Sequence, residues 1–383
     1  MIIKLAFRNL LGAGLRTWLN VLVLSLSYVV IIGTQGMYVG MNNQASKVRI
    51  DSELGGGQYW HQDYDPYDPF SLEDAHGSVA SFQTKTKATP VLIRPGTIYP
   101  DGRLQPVLFK GIDPAQTLLD FPTAALATTD VAIPLLIGKR MATKTRLAVG
   151  DSITLRWRDA DGTFDAGDAW VVHIMETDAV SIDDGQLWLP LERLRAMSEL
   201  PDEATLLVVA PGEAGPPVSG WVFHDLDFLL KDLRQLVRMK SKGASFLYIL
   251  LLFMAGLGIF NAQILAIFRR IREIGTLIAL GMTRAKVVSL FTLEGCLNAV
   301  LAAAVGAIYG LPLLTLAQLK GIPLPQMSQE AGFALGTVLY PKYSLALVLG
   351  TTCLIFLTVT LVSYIPARRV SKLEPTEAIR GKR

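Results

Sequence analysis

Few residues of this 383-residue chain have the type and spacing to do chemistry. The four histidines, His61, His76, His173 and His224, are scattered, with no i, i+4 pair and no carboxylate at ligand spacing, so no metal site is expected. The run "DADGTFDAGD", residues 159 to 168, has an acidic rhythm that hints at calcium. It lacks the full loop order and its closing glutamate, and it reads as a solvated hairpin. "IGKR" at 137 to 140 lacks the upstream glycine spacing and the following hydroxyl of a phosphate loop. There is no G-x-S-x-G, and Cys296 and Cys353 both fall inside apolar blocks, so no external nucleophile stands out. No catalytic residue and no cofactor bound by this chain are expected. The reading is of a protein that binds and moves.

The elements that must do the moving are apolar. Four blocks reach the ~20 residues that cross a bilayer as a helix: residues 17–40, 246–268, 287–316 and 344–366. The first, preceded by Lys4, Arg8 and Arg16, is too long for a cleaved leader and has no clean small-x-small site, so it is read as a retained span. Basic residues collect before the first block, between the second and third, and after the fourth. That bias puts both termini and the second loop on the cytoplasmic side of a membrane. The expected fold class is an α-helical membrane protein with four transmembrane helices and a large mixed α/β extracytoplasmic domain between helices 1 and 2. Its expected order is an amphipathic cytoplasmic helix at 1–16, the first span, the external domain at 41–243, the second span, a cytoplasmic loop helix at 269–286, the third span, an external loop at 317–343, the fourth span and a tail at 367–383.

The external domain has no cysteine, so its own apolar core must hold it. Asp101-Gly102 and Asp161-Gly162, each between strand-like runs, predict hairpin turns. Helices are expected over "LIGKRMATKTRLAVGD" and over "DLDFLLKDLRQLVRMKSKG", the latter continuing into the second span as a stalk. Tyr59, Trp60, Tyr64 and Tyr67 are read as aromatics of a core strand more than as ligand contacts.

In "RRIREIGTLIALGMTRAKVV", residues 269 to 288, Ile271, Ile274, Ile278 and Met282 recur at helical spacing and make one apolar stripe. Gly281 suits the end of this helix, and Thr283 can cap the next. Attraction to anionic lipid explains the arginines. It does not explain Glu273, or Gly275 at mid-helix, where glycine costs ~1 kcal/mol against alanine. A docking helix explains both, with the glycine permitting close approach and the glutamate meeting a basic pocket.

"REIGTLIALGMTRAKVVSLFTLEG" resembles the signature of the FtsX-like, MacB-type ABC transporter permeases, which include the lipoprotein-releasing permeases LolC and LolE. "YIPARRVSKLEPTEAIR" resembles that family's closing pattern, carried here by Pro366, Ala367, Arg368, Arg369, Pro375 and Ala378. "LAFRNLLGAGLRTWLN", "LFKGIDP", "GGGQYWHQDYD" and "LIGKRMATKTRLAVGDSITL" resemble further pieces of the family pattern. The resemblance implies that Arg272, Glu273, Ile274, Gly275, Ile278 and Gly281 form a coupling helix that docks into an ABC ATPase. That ATPase, two copies with ATP and Mg²⁺, is expected on a separate polypeptide because the chain begins almost at the first span. The resemblance also implies a second permease, identical or not, and a bacterial inner-membrane location. A periplasmic carrier, adaptor or hydrolase is a further expected kind of partner.

Small residues Ala302, Gly306 and Gly310 recur every four positions in the third span and predict close helix packing, either within the chain or against the second permease. Glu294 and Asn298 are polar groups inside that span. Glu294 is read as a structural partner of Arg284 or Lys286 more than as a proton relay. Asn261 and Gln263 are read as interhelical hydrogen-bond partners. The expected function is ATP-driven export or extraction of an amphiphile, such as a lipoprotein, peptide or drug. The alternative is an FtsX-like regulator that activates an envelope hydrolase without transport. Membrane lipid is an expected contact, and nucleic acid is not.

Overall fold

The computed structural model describes residues 14–80, 82, 87–128, 130–177, 180–213, 217–323 and 338–370. The chain divides into two compact units, one of residues 1–41, 236–322 and 339–383, the other of residues 42–235 and 323–338. The expected amino-terminal helix at 1–16 lies almost wholly outside the described residues, as do Pro375 and Ala378.

Among the described residues four helices are long and apolar enough to cross a membrane. They are α1 (Leu15–Arg49), α4 (Lys231–Arg269), α6 (Arg284–Lys320) and α7 (Leu345–Val370). Each is longer than its apolar block, because basic and polar residues at the ends keep helical geometry. Only 17% of the apolar window of α7 is buried within the chain, so most of that surface needs lipid or another protein to cover it.

Within the first unit, Val21, Leu24 and Ile31 of α1 pack with Tyr248, Leu252, Ala255 and Ile259 of α4, Ala299 and Ala302 of α6, and Ile355 and Val359 of α7. Hydrogen bonds join the helices where the apolar contacts leave room. The Tyr28 hydroxyl meets Thr352 Oγ1 at 2.9 Å, and Tyr309 donates to Ser25 at 3.2 Å. The small-residue stripe settles into this packing. A methyl group on Gly310 would lie 2.6 Å from Val29 Cγ2, and one on Gly306 would lie 3.2 Å from Tyr28 Cδ1. Ala302 is 1% exposed in the same cluster. The stripe is therefore where α1 approaches α6 in one chain. Gly310→Ala should lower the stability of the solubilised chain by about 1–3 kcal/mol, because Val29 has little rotamer freedom to yield. Thermal unfolding checks this. Loss of a dimer with unchanged unfolding of the single chain would place the stripe at a subunit interface instead.

The second unit is built on a nine-stranded sheet. Its strands are β1 (Gln58–His61), β2 (Ala88–Ile98), β3 (Gln105–Ile112), β4 (Pro134–Gly138), β5 (Ser152–Arg158), β6 (Phe164–Met175), β7 (Gln186–Pro190), β8 (Leu206–Val209) and β9 (Trp221–His224). They lie in the order β9-β1-β8-β2-β3-β7-β4-β6-β5. A further pairing of β5 with β2, Gly96 opposite Trp157 and Ile98 opposite Leu155, brings the last strand back onto an inner one. The two longest helices wholly within this unit are α2 (Lys139–Thr145) and α3 (Leu191–Ser198).

Strand alternation sorts the apolar residues into two cores. Leu92, Phe109, Leu135, Ile137, Leu155 and Leu187 meet on one side, with Leu191 and Leu194 of α3 packed onto them. Val91, Ile93, Leu136, Trp188 and Val208 meet on the other. Six residues join β2 to β3, and within them Asp101 and Gly102 are both at positive φ, 51° and 73°, with Arg103 N donating to Pro100 O at 2.9 Å, the backbone of a type I′ turn. The acidic run 159–168 is likewise the β5–β6 hairpin, its Asp159 carboxylate accepting from Thr163 N at 2.7 Å. The helix expected over "LIGKRMATKTRLAVGD" is shorter than its pattern. Leu136–Gly138 belong to β4, and α2 stops at Arg146, which takes the left-handed conformation (φ 60°).

Candidate functional site

The loop between α4 and α6 is a helix, α5 (Ile271–Ala279), flanked by a break at Arg270 and by Gly281 at φ 94°. The positive φ of Gly281 is what lets the chain turn sharply into α6. Thr283 holds the extended N-cap conformation, but its side chain makes no capping bond. The helix is thus nine residues, shorter than the 269–286 expected, because both flanking segments are spent on reversing the chain.

The apolar stripe does not lie on lipid. Ile274 is 4% exposed and packs with Ile267 of α4, Val287 and Phe291 of α6, and Ala367 of α7, while Ile278 and Met282 lean on the same cluster. Gly275 is buried within the chain, so it cannot serve a partner's close approach. Its burial corrects the sequence expectation; a helix this short buries one whole side when three helix ends converge beneath it. Arg272, Glu273, Thr276, Ala279 and Leu280 form the exposed side, with Leu280 80% exposed.

Arg270 fastens α5 to the membrane helices. Its Nε donates to Glu273 at 2.8 Å and its Nη1 to Glu294 at 3.1 Å, with the guanidinium 5.7 Å from the Phe291 ring centre. Glu294 is 8% exposed. The expected partners Arg284 and Lys286 are exposed, on the first turn of the helix that carries Glu294. Arg270 reaches Glu294 because the chain reversal brings the end of α4 alongside α6. Glu273, which is 64% exposed at its side chain, is thus held by the chain's own arginine. Asn298 donates to the Glu294 carbonyl one turn below, at 3.3 Å. Gln263 bridges helices by donating to Phe291 O at 3.2 Å, whereas Asn261 is exposed on α4 and makes no such link among the described residues.

Of the closing motif, Pro366 and Ala367 are buried, with Ala367 against α5, and Arg368 is exposed. The side chain of Arg369 lies outside the described residues.

The second unit holds a cavity of about 750 Å³ that the sequence does not announce. Trp60, Tyr64 and Tyr67 line it; Tyr59 is buried in a core on one face, while Trp60 and Tyr64 pack at the edge of the other, since alternation along β1 sends neighbours to opposite faces. At the cavity Lys110 of β3, 6% exposed, sits with Nζ 3.5 Å from Glu53 Oε1 and 5.1 Å from the Trp188 ring centre. Burial pushes the Lys110 ammonium below the usual lysine range against the opposing pull of Glu53. Arg49 Nη2 lies 3.5 Å from the other oxygen of Glu53.

The histidines are less scattered than their spacing suggests. The β1 pairing and the 62–76 segment bring His61 and His76 within electrostatic reach of each other, with His76 bonded to Glu203. Among the described residues no group of three or more ligands could hold a metal ion.

Four helices long and apolar enough to cross a membrane, with a connecting helix packed against three of them, suggest a membrane protein. Residues 245–375 match the family described as FtsX-like permease C-terminal. The chain is 26% identical over 160 residues to the macrolide export ATP-binding/permease protein MacB of Wolinella succinogenes, covering 40% of this chain and 22% of that protein. It is 29% identical over 128 residues to the MacB of Brucella abortus, 33% of this chain and 17% of that protein. The chain therefore matches about a fifth of the length of these curated relatives. These similarities support an FtsX/MacB-type ABC transporter permease.

Proposed function

We propose that this chain is the membrane subunit through which a separate ABC ATPase, acting in two copies, drives movement of the α/β unit. The observation that carries the reading is the two-sidedness of α5. One side is fixed by Ile274 and Arg270 to α4, α6 and α7, and the other presents Arg272, Thr276 and the exposed Leu280. Force applied to the open side would be borne by three membrane helices at once. The 39 residues of α4, about 58 Å at helical rise, would carry it as a rod.

In this reading the termini and α5 are cytoplasmic, and the α/β unit lies outside the inner membrane of a bacterium. The exposed apolar flanks of α6 and α7 meet lipid and a second permease. The chain itself is not a catalyst; ATP and Mg²⁺ are bound by the partner. The cargo is an amphiphile expelled or extracted at the outer face, of the chemical kind spanned by macrolide drugs, peptides and lipoproteins.

Leu280→Asp is the test, because it places a charge in the docking face and touches none of the contacts that hold α5. Co-purification of the ATPase should fall at least about tenfold, the effect of losing one apolar anchor at an interface. The unfolding temperature of the permease alone should stay unchanged. Full retention of the ATPase by the variant would overturn the reading. Glu273→Arg is less clean, since it would also set a second arginine against Arg270.

A further inference from the structure

We propose that the cavity of the α/β unit is a binding site for a small anionic amphiphile, a carboxylate or phosphate head on a short acyl or aromatic body. The proposal stands whether or not α5 meets an ATPase. The cavity's ~750 Å³ suits a small molecule, and its walls combine aromatic rings with a few convergent polar groups. Three charged side chains gather at one wall: Arg49 and Lys110 share the single carboxylate of Glu53, each at 3.5 Å. At that wall this leaves one positive charge in excess, on groups largely removed from water, while Lys231, Asp65 and Asp232 line the cavity elsewhere. Two donors there also lack an acceptor among the described residues, the buried Nε of Arg49 and the indole Nε1 of Trp188, a side chain 2% exposed. Unmet buried donors are costly unless something accepts from them. An anion would accept from both and balance the charge.

The remaining walls accommodate an apolar body. Trp60 lies edge-on to Tyr64 at 5.1 Å, and His224 is sandwiched between Trp60 at 4.4 Å and Phe228 at 4.2 Å. Burial lowers the His224 pKa, only partly offset by Asp225, so its ring is neutral at pH 7 and behaves as an aromatic surface. The acids of the mouth are engaged: Asp232 accepts from the Tyr67 hydroxyl, and Asp65 from Tyr67 N at 2.9 Å. A cationic ligand would face Arg49 and Lys110, and a neutral one would leave their excess charge standing.

The test uses the full chain in phosphatidylcholine nanodiscs, titrated calorimetrically with octanoate, octyl phosphate, inorganic phosphate and octyltrimethylammonium. Octanoate or octyl phosphate should bind once per chain and saturably, and whichever binds tighter identifies a carboxylate or a phosphate head as the natural one. Inorganic phosphate and the cation should bind at least about tenfold more weakly. Trp188→Phe, which keeps the ring and removes one donor to a charged acceptor, should weaken the anion by about tenfold or more. Lys110→Met should do the same while its unfolding temperature stays level or rises, because a buried charge is costly to keep. Equal binding of anion and cation would overturn the proposal. So would anion binding unaffected by either variant, which would be partition into the lipid disc.

Discussion

Arg270→Met lowers the stability of the membrane unit by about 2–4 kcal/mol, the scale on which a nearly buried carboxylate loses a charge partner at a helix junction. The geometry makes the effect specific. Arg270 holds Glu273 at 2.8 Å and Glu294 at 3.1 Å, and Glu294 is 8% exposed. Removing the arginine takes a cation from beside a carboxylate that water can reach only poorly. Glu294→Leu in the same chain removes that charge, so the double variant should recover most of the loss. A cycle of thermal unfolding on the single and double variants measures the coupling directly, and additive losses would show that the two residues do not act as a pair. If α5 transmits force, Arg270 is a positioning residue. If cargo stimulates ATP hydrolysis by the proposed complex, Arg270→Met complexes that still contain the ATPase should hydrolyse ATP without that stimulation, which a purely structural role would not produce.

Gly295→Val is expected to be as severe, by a different route. A methyl group on Gly295 would overlap the Ser363 hydroxyl of α7 and come 2.9 Å from Gln263 Nε2 of α4, so all three helices would have to part. Overpacking of this kind costs typically about 1–3 kcal/mol, and losing the Gln263 bond to Phe291 O adds about 1 kcal/mol more. The expected result is a variant that aggregates on extraction or unfolds well below the parent. Adding Ser363→Gly should restore part of the stability, and failure to do so would locate the strain elsewhere. Gly295 drew no attention as a sequence feature, since it falls outside the four-residue rhythm of Ala302, Gly306 and Gly310. Its value depends on which residues of two other helices face it.

The same limit runs through the site. The apolar rhythm of Ile271, Ile274 and Ile278 identified a helix and one buried stripe, but rhythm does not say whether lipid, a partner or the chain itself does the burying. Contact with Ile267, Phe291 and Ala367 decided that it is the chain. Gly275 and Glu273 were read as surface for a partner. The first is buried, and the second is bound by Arg270. Arg284 and Lys286 lie nearer in sequence to Glu294 than Arg270 does, yet helix geometry keeps them a turn or more away while the reversal at Gly281 brings Arg270 across. In the α/β unit, alternation identified strands and the Asp-Gly pairs identified turns. Nothing in the spacing of Arg49, Glu53, Lys110 and Trp188 announced that they meet.

By itself the sequence determined the four long apolar helices, the two-sided helix between the second and third, the primed turn at Asp101-Gly102 and the resemblance to FtsX/MacB-type permeases. Each is written in residues close together along the chain, through hydrophobic period, turn conformation or contiguous motif. Only the tertiary structure decided which arginine holds Glu294, that the small-residue stripe of α6 faces α1, and that a cavity opens among the strands with Arg49 and Lys110 sharing Glu53 at one wall. Those arrangements depend on segments tens to hundreds of residues apart, and local periodicity carries no information about which distant faces will meet.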